Sequence, residues 1–438
     1  MFSARSRKAV LAVAAVSVAS LGLGACGGSE ASSGPVGTAD PDEEVTITVD
    51  SFGGIFANYD KAGLLDQYRE EHPNVTIEFS EVQQEPDYWT ALATKINSGS
   101  GLADIQPLEI SRAALVTSQQ QDVWLDVNDT EFADQLSEET EAAVGAITTE
   151  DGAVLGMPTD SGPMAICFRS DKLEEAGLPS TSEELAAQVT DWDAYESLGQ
   201  QYQEATGGDA WTDSASGYYR LLTSVEPVRN YDEEGNPTWD TNETVKPAFD
   251  RAAAVAAQGL TAGLDQFSPE WNTAMSTGDF ATIACPAWML GYIKQQAGEE
   301  NAGNWSAIPL PEGLGGNWGG SFLAIPRDSE NAAAAADLAA FLTSAEAEKT
   351  EFEAGLAFPS NTVAQEQIQD VTDEYFSGAP IGQIFSASAQ AAPAQPLGVD
   401  DGAIDIALTE ALVTVEANGV SPADAWESAS STIEDQVG

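Results

Sequence analysis

The chain has 438 residues, 42% of them hydrophobic, and carries 71 acidic against 16 basic side chains, a formal net charge of −55. This length can bury a large core and favours two domains over one. So negative a surface repels nucleic acid and anionic lipid headgroups and disfavours an anionic ligand. The charge therefore predicts no nucleic-acid partner and contributes mainly to solubility.

The N-terminus has the pattern of an export signal. Basic residues within 1–8 precede an apolar run over 9–23, which is too short for a comfortable membrane span. The run ends at Leu23-Gly24-Ala25-Cys26, and small residues before a cysteine resemble a bacterial lipobox. We therefore predict a lipoprotein signal peptide at 1–25, with Cys26 as a lipid anchor at the extracellular face of the cell membrane. The alternative is an ordinary signal peptide followed by an incidental cysteine.

Residues 26–44 are rich in small, acidic and turn-forming residues and lack apolar periodicity. They predict a flexible tether, and the folded body begins at Val45. Beyond it, segments of strand period alternate with segments of helix period, which indicates an α/β fold of mostly parallel sheets flanked by helices. The predicted strands are 45–49, 75–79, 103–105, 156–168, 281–284 and 321–325. The main predicted helices are 60–71, 88–96, 173–177, 192–204, 247–259, 331–348 and one that starts at Pro422.

Two cysteines remain once Cys26 is assigned to lipid. Cys167 and Cys285 form an even pair in an oxidising compartment, which predicts a disulfide between them. Two buried free thiols are the alternative.

The sequence offers little for catalysis, metals or cofactors. The single histidine, His72, stands in a helix-ending turn, so a Ser-His-Asp or Cys-His system is disfavoured. Motifs for a nucleophile elbow, a zinc protease, a phosphate loop or a calcium loop are absent from the sequence. We therefore predict a protein that is not an enzyme and uses no cofactor or metal. A glycoside hydrolase stays open, because it needs only two carboxylates across a cleft.

Unusual side chains stand at strand ends and loop tips. Trp318 lies between Asn317 and two glycines, and Trp288 follows a predicted strand. Ligands of open α/β sheets bind beyond the carboxyl ends of strands, aromatic faces pack on sugar rings, and carboxylates accept hydrogen bonds from hydroxyls. We therefore predict a carbohydrate site, whose candidate residues are Trp288, Trp318, Glu109, Asp160, Phe52 and Asn317, with Trp271 and Tyr218 as weaker candidates.

Each main candidate has a structural alternative. Trp288 would belong to the core, and Trp318 would pack on a neighbouring loop. Glu109 would cap a helix that begins at Ile110 or Ser111, and Asp160 would hold a turn.

Four ordered stretches resemble the family 1 extracellular solute-binding proteins, the sugar-binding lipoproteins of bacterial ABC importers. They are GLADI at 101–105, GMPTDSGPMAICFRSDKLEEAGLP at 156–179, STGDFATIACPAWMLGYI at 276–293 and IPLPEGLGGNWGGSFLAIP at 308–326. Single motifs are loose, but the ordered set spans roughly residues 45–430 and is fairly specific. Phe168 stands where the family often has tyrosine, and the Cys167 and Cys285 pair is not general to the family.

The resemblance implies a type II two-lobed fold with a sugar held between lobes joined by crossing strands. It implies an N-lobe of 45–157 and 320–375 and a C-lobe of 158–319 and 376–438. By analogy, Trp288 stacks on the ligand from the C-lobe and Glu109 contacts it from the N-lobe, while Asp160 and Trp318 lie on the two crossings.

The implied function is that of a monomeric binder that passes a neutral di- or oligosaccharide to the transmembrane subunits of an ABC permease. Similarity to actinobacterial oligosaccharide binders favours a cellobiose-like, β-linked glucan. The alternatives are a secreted glycoside hydrolase and a binder of another solute such as a polyamine, which the acidic charge would suit.

Overall fold

The computed structural model describes residues 36, 38–39 and 43–437. The predicted signal peptide, the lipid anchor at Cys26 and most of the predicted tether lie outside these residues. Across the described part of the chain, no helix combines the length and apolar character needed to cross a bilayer.

Strands and helices alternate along the described chain, as the sequence predicts. The strands are β1 (Val45–Phe52), β2 (Val75–Val82), β3 (Gln106–Glu109), β4 (Met157–Arg169), β5 (Ala210–Thr212), β6 (Phe280–Pro286), β7 (Trp305–Ile308), β8 (Asn317–Ala324) and β9 (Phe358–Pro359). The helices are α1 (Ile55–Lys61), α2 (Leu64–Glu71), α3 (Glu85–Ser98), α4 (Ala113–Gln119), α5 (Glu141–Ala146), α6 (Ser170–Glu175), α7 (Ser182–Ala186), α8 (Trp192–Thr206), α9 (Ala215–Ser224), α10 (Val245–Ala257), α11 (Pro269–Thr277), α12 (Met289–Ala297), α13 (Ala332–Leu342), α14 (Ala345–Glu353), α15 (Thr362–Gln367), α16 (Ile381–Ala391), α17 (Asp401–Asn418) and α18 (Pro422–Val437).

The strands form mixed sheets. β1 and β2 pair in parallel, and so do β5 and β6. A second sheet has the order β3-β8-β4-β6-β5, with β7 and β9 also paired to β4. The pairs that involve β4 and β8 are antiparallel. The predicted parallel character therefore holds for the βα units, whereas the crossing strands add antiparallel pairs.

Two long strands connect separate hydrophobic cores. At its start, β4 places Met157 in a first core with β1, β2 and α13, and farther along it places Met164 and Phe168 in a second core with α8, α9 and α17. β8 runs beside it, with Phe322 in the first core and Trp318 packed against the second. A third core gathers around α11, α12 and β6. The paired strands therefore cross between two bodies, as expected of a two-lobed fold, and the predicted lobe boundaries stay a prediction.

Two predicted helices are each divided in the structure. The region predicted as 60–71 starts earlier and is broken at Gly63, whose φ of 79° is left-handed. The region predicted as 331–348 ends its first helix at Leu342, and Ser344 caps a second by accepting a hydrogen bond from the amide of Ala347. Local capping chemistry therefore overrides a continuous alanine-rich pattern.

A disulfide joins β4 to β6. The Cα atoms of Cys167 and Cys285 lie 5.4 Å apart, and both side chains are fully buried. The two cysteines are diagonal neighbours in the antiparallel pair, because Cys167 lies opposite Ile283 and Cys285 opposite Ala165. The bridge thus fixes β6 to the crossing strand three residues before Trp288.

Candidate functional site

A cleft of about 1330 Å³ lies over the crossing strands. Its lining comes from elements of the first core, such as α1, and from elements of the other two, such as α12 and α17. Pockets for drug-sized molecules measure roughly 300–1,000 Å³. The cleft therefore has room for a ligand longer than a monosaccharide.

Two tryptophans form an aromatic wall. Trp288 and Trp318 both line the cleft and are partly buried, with ring centroids 5.3 Å apart in an edge-to-face arrangement. Nε1–H of Trp288 donates to the carbonyl oxygen of Trp318 at 2.8 Å, and the guanidinium of Arg220 lies 4.9 Å from the Trp318 ring centroid. The crossing strand therefore holds both indoles in one rigid group.

Glycine permits this close contact. Gly319 has a φ of 99°, and a Cβ there would lie 2.9 Å from Nε1 of Trp288. A Cβ at Gly162 would lie 1.9 Å from the carbonyl oxygen of Trp318. Side chains at these positions would separate the crossing strands from each other and from the indole.

Phe267 and Tyr292 extend the aromatic wall, and sequence reasoning missed both. Phe267 stacks 6.2 Å from Trp288 with an interplanar angle of 27°, and Tyr292 meets Phe267 edge-on at 5.7 Å. Phe267 has a φ of 67°, which is uncommon for a bulky residue. The Ser268-Pro269 helix start marks the loop in the sequence, but nothing local indicates where its aromatic ring points.

Glu109, at the end of β3, and Asp160, on the crossing strand β4, both line the cleft. The Glu109 carboxylate also accepts a hydrogen bond from the backbone amide of Ser111 at 2.8 Å. Glu109 therefore caps the short helix at Ile110, the alternative considered from sequence, and lines the cleft as well. Burial, and next the charge of Glu85, raises the pKa of Glu109 to about 7. Asp160 accepts a hydrogen bond from Thr159 Oγ1 at 2.7 Å, and burial raises its pKa.

Glu351 on α14 adds a further carboxylate to the cleft, and it was also missed from sequence. It lines the cleft with 4% of its surface exposed. The sequence signal was its place on the inward face of α14, which also buries Ala347, Glu348 and Phe352.

The arginines of the cleft are paired with carboxylates. Arg112 binds Glu85 through two hydrogen bonds of 3.0 Å. Arg220 binds Asp405 at 2.8 Å, and Arg229 binds Asp401 at 2.7 Å. These cations are therefore largely neutralised, and an anionic ligand would have to displace their partners.

Phe52 and Asn317, two further candidates from the sequence, also line the cleft. Phe52 is 7% exposed and packs 5.1 Å from Tyr88, so it contributes mainly a buried apolar edge. The Asn317 amide is used within the crossing, because Oδ1 accepts from the amide of Gly162 at 2.9 Å and Nδ2 donates to the carbonyl of Gly319 at 2.8 Å.

Trp271 and Tyr218 do not line the cleft, which corrects two weaker candidates. Trp271 is fully buried and donates Nε1–H to Asp213 at 2.8 Å. Tyr218 is 1% exposed and donates its hydroxyl to Glu196 at 2.8 Å. Both lie on the core-facing sides of helices, where large aromatic side chains gain most from burial.

The walls of the cleft touch at its rim. Lys61 on α1 donates to Gln295 on α12 at 3.3 Å, and the side chain of Gln84 donates to the carbonyl of Phe267 at 3.4 Å. Gly402 on α17 also packs directly against Arg112, which precedes α4, because a Cβ at Gly402 would lie only 2.8 Å from a guanidinium nitrogen. In the described structure the two walls of the cleft are therefore in contact at the rim.

The described residues contain no group of three or more histidine, cysteine or acidic side chains arranged to hold a metal ion. The chemistry available in the cleft is thus aromatic packing and hydrogen bonding to carboxyl groups.

The buried carboxyl groups predict that stability falls as pH rises above about 5. Burial raises the pKa of Glu109 and of Glu416 to about 7, and it also raises the pKa of Glu139 and Glu348. In the unfolded chain these glutamates lose their protons near the ordinary glutamate pKa of about 4.3, whereas in the folded protein they keep them to higher pH. The resulting stabilisation is therefore fully present below a pH of about 4.3 and is lost as the pH rises to about 7 and beyond.

We expect a higher melting temperature at pH 5 than at pH 8 at constant ionic strength. The Glu416→Gln variant should show a smaller difference, because one titrating group is removed. An equal or higher melting temperature at pH 8 would contradict the prediction.

The fold and the cleft define a class: a two-lobed, type II solute-binding protein that holds its ligand between the lobes. Residues 63–376 match the family model described as "Bacterial extracellular solute-binding protein". The chain belongs to this family, and the resemblance seen in the sequence is confirmed.

Relatives and solved structures agree with this assignment. A crystal structure of an extracellular solute-binding protein of family 1 shares 34% identity and a TM-score of 0.76, over 90% of this chain and all of that one. The ABC transporter associated binding protein from B. animalis subsp. lactis Bl-04, in complex with β-1,6-galactobiose, has 18% identity and a TM-score of 0.74 over 90% of this chain and 97% of that one. The lactose-binding protein of Rhizobium radiobacter is 24% identical over 370 residues, 78% of this chain and 82% of the relative.

Proposed function

We propose that this chain is the extracellular carbohydrate-binding subunit of an ABC importer and captures a neutral di- or oligosaccharide between its lobes. The observation that carries the proposal is the cleft itself, where the wall formed by Trp288, Trp318 and Phe267 shares one space with Glu109 and Asp160. A relative named as a lactose-binding protein and a structural neighbour in complex with β-1,6-galactobiose support a sugar as the ligand.

Sugar rings suit this arrangement for two physical reasons. Their C–H faces pack on aromatic rings, which supplies apolar contact. Their hydroxyl groups donate to carboxylates, and these bonds are stronger than those to neutral acceptors. The paired arginines leave no strong attraction for an anion, which favours a neutral solute.

Capture would work by closure. A sugar that touches both walls favours the closed form over the open form, and the closed form would dock on the transmembrane subunits of the permease. The rim contacts Lys61–Gln295 and Gln84–Phe267 are of the kind that closure would form. We assign the protein no chemical step.

We also propose that the protein works as a monomer tethered to the membrane. The Leu23-Gly24-Ala25-Cys26 stretch supports lipid attachment at Cys26, followed by a tether over 26–44. The lobes would comprise 45–157 with 320–375, and 158–319 with 376–438. The change of core along β4 and β8 supports boundaries near 158 and 319.

A thermal-shift panel of neutral sugars tests the function. Cellobiose, lactose, β-1,6-galactobiose and longer oligosaccharides should include a ligand that raises the melting temperature. A ligand at 100 times its Kd stabilises the folded state by about 2.7 kcal/mol. No shift with any sugar would contradict the proposal.

Two further assays separate the alternatives. Putrescine and spermidine belong in the same panel, and a shift with these amines alone would indicate a polyamine binder. Incubating each stabilising sugar with the purified protein and measuring its products would identify a glycoside hydrolase, whereas we expect the sugar to be recovered unchanged.

A further inference from the structure

Glu351 is buried in the cleft without a partner. It is 4% exposed, and among the described residues its carboxyl group forms neither a hydrogen bond nor an ion pair. The other inward carboxylate of α14 differs, since Glu348 accepts from Ser360 Oγ at 3.1 Å and from the amide of Asn361 at 2.8 Å. The carboxyl oxygens of Glu351 are not among the fully enclosed unpartnered atoms, so they reach the cleft, where a ligand can supply the hydrogen bonds that the described chain does not.

The neighbours of Glu351 come from three elements. Asp160 on β4 lines the same cleft and lies opposite Pro359 of β9, and its charge acts on Glu351. The segment that follows β9 is bound to α14, because Ser360 and Asn361 donate to Glu348. Tyr59 on α1 also lines the cleft, and its hydroxyl lies within reach of the charges of Glu351, Glu348 and Asp160. Glu139, which precedes α5, lies beside Glu348 of α14, and its charge raises the pKa of that carboxyl group. Among the described residues these neighbours are acids or a phenol, and none of them is a cation that would offset the carboxyl group.

We propose that Glu351 and Asp160 form a subsite for adjacent hydroxyl groups of the sugar, in which Glu351 is a ligand-binding residue. The proposal rests on the sugar-binding function above and names a contact within the same cleft. Adjacent ring hydroxyls provide both donors and acceptors, which a pair of neighbouring carboxyl groups can match when they share a proton.

The protonation of Glu351 supports this arrangement. Burial, and next the charge of Asp160, raises the pKa of Glu351 well above the ordinary value, so this carboxyl group loses its proton only at a higher pH than an exposed glutamate does. A protonated carboxyl donates one hydrogen bond and still accepts others. As pH rises, the O–H donor is lost and two like charges face each other. Sugar binding should therefore weaken with increasing pH.

Three variants test the contact with the panel sugar that gives the largest shift. Glu351→Gln keeps a donor and an acceptor, so we expect affinity at pH 6 within threefold of the unmodified protein, and little change between pH 6 and pH 9. Glu351→Met keeps length and removes both functions, and it should bind at least tenfold more weakly. Glu353→Gln is the control, because this residue is exposed on the same helix and pairs with Lys349 at 2.8 Å away from the cleft. It should bind as the unmodified protein does.

The melting temperatures of the ligand-free proteins separate folding from binding. Neither Glu351 variant removes a bond made by the described residues, so both should melt at or above the temperature of the unmodified protein. Normal sugar affinity in Glu351→Met would overturn the subsite while leaving the sugar-binding function intact. Tighter binding with increasing pH, together with a preference for a glucosamine disaccharide over cellobiose, would also overturn it, because the subsite would then take an ammonium group. Failure of every sugar to bind the unmodified protein would instead reject the proposed function.

Discussion

Replacing both Cys167 and Cys285 with alanine is expected to lower the free energy of unfolding by about 3–5 kcal/mol. The cysteines are 118 residues apart in sequence, so the bridge closes a long loop in the unfolded chain and restricts it strongly. The loss should appear as a lower midpoint in guanidinium unfolding. Binding should also suffer, because β6 carries Trp288 three residues beyond Cys285.

Reduction of the unmodified protein is the control, since it breaks the bond and keeps the volume of both sulfur atoms. The reduced protein and the double-alanine variant should unfold at similar denaturant concentrations, both below the oxidised protein. Thiol labelling after denaturation without reductant should detect no Cys167 or Cys285. Two labelled thiols in the exported protein, or an unchanged midpoint on reduction, would contradict the prediction.

The sequence predicts the fold well where local pattern and fold agree. Alternating residues in 45–49 and 75–79 match β1 and β2, and the glycine-rich stretch around Trp318 becomes a crossing strand. The antiparallel pairs of the crossings could not be predicted, because they join segments more than a hundred residues apart, such as β4 and β8. No local period records that pairing.

The sequence analysis selected candidate site residues at loops and strand ends. It therefore identified cleft residues on strands and missed those on helices. Trp288, Trp318, Glu109 and Asp160 follow strands or lie on them, so the sheet edge brings them into one cleft. Glu351 lies in a helix whose charged residues mostly face solvent, and only its place on the buried face distinguishes it.

For aromatic residues, the sequence does not distinguish those that face a core from those that face the cleft. Tyr218 and Trp271 occupy helix positions that face cores, while Phe267 reaches the cleft through a left-handed backbone conformation. The Phe267 ring packs 5.0 Å from the buried indole of Trp271 and 6.2 Å from the indole of Trp288 in the cleft, and no local sequence pattern records these contacts. Composition alone cannot distinguish the buried indole of Trp271 from the indole of Trp288, which lines the cleft.

Replacing either Trp288 or Trp318 with alanine is expected to weaken sugar binding at least tenfold, which is about 1.4 kcal/mol. Each change removes an aromatic face from the cleft. Loss of Trp318 also removes the ring that packs against the Arg220 guanidinium, and loss of Trp288 removes the hydrogen bond to the crossing strand. Isothermal titration with the panel sugar measures both effects. Trp426→Ala is the control, because this tryptophan is partly buried on α18 and does not line the cleft.

The double variant distinguishes one aromatic group from two independent platforms. Because the rings touch at 5.3 Å, we expect the combined loss to differ from the sum of the single losses by about 0.5–1.5 kcal/mol. Trp288→Phe keeps a ring and removes the N–H donor, so it should retain most of the stacking but loosen the contact with β8. Indole fluorescence should change when sugar binds, and Trp318→Ala should reduce that change. Additive losses would show that the tryptophans act separately, and normal binding in both single variants would rule out the aromatic wall as the sugar platform.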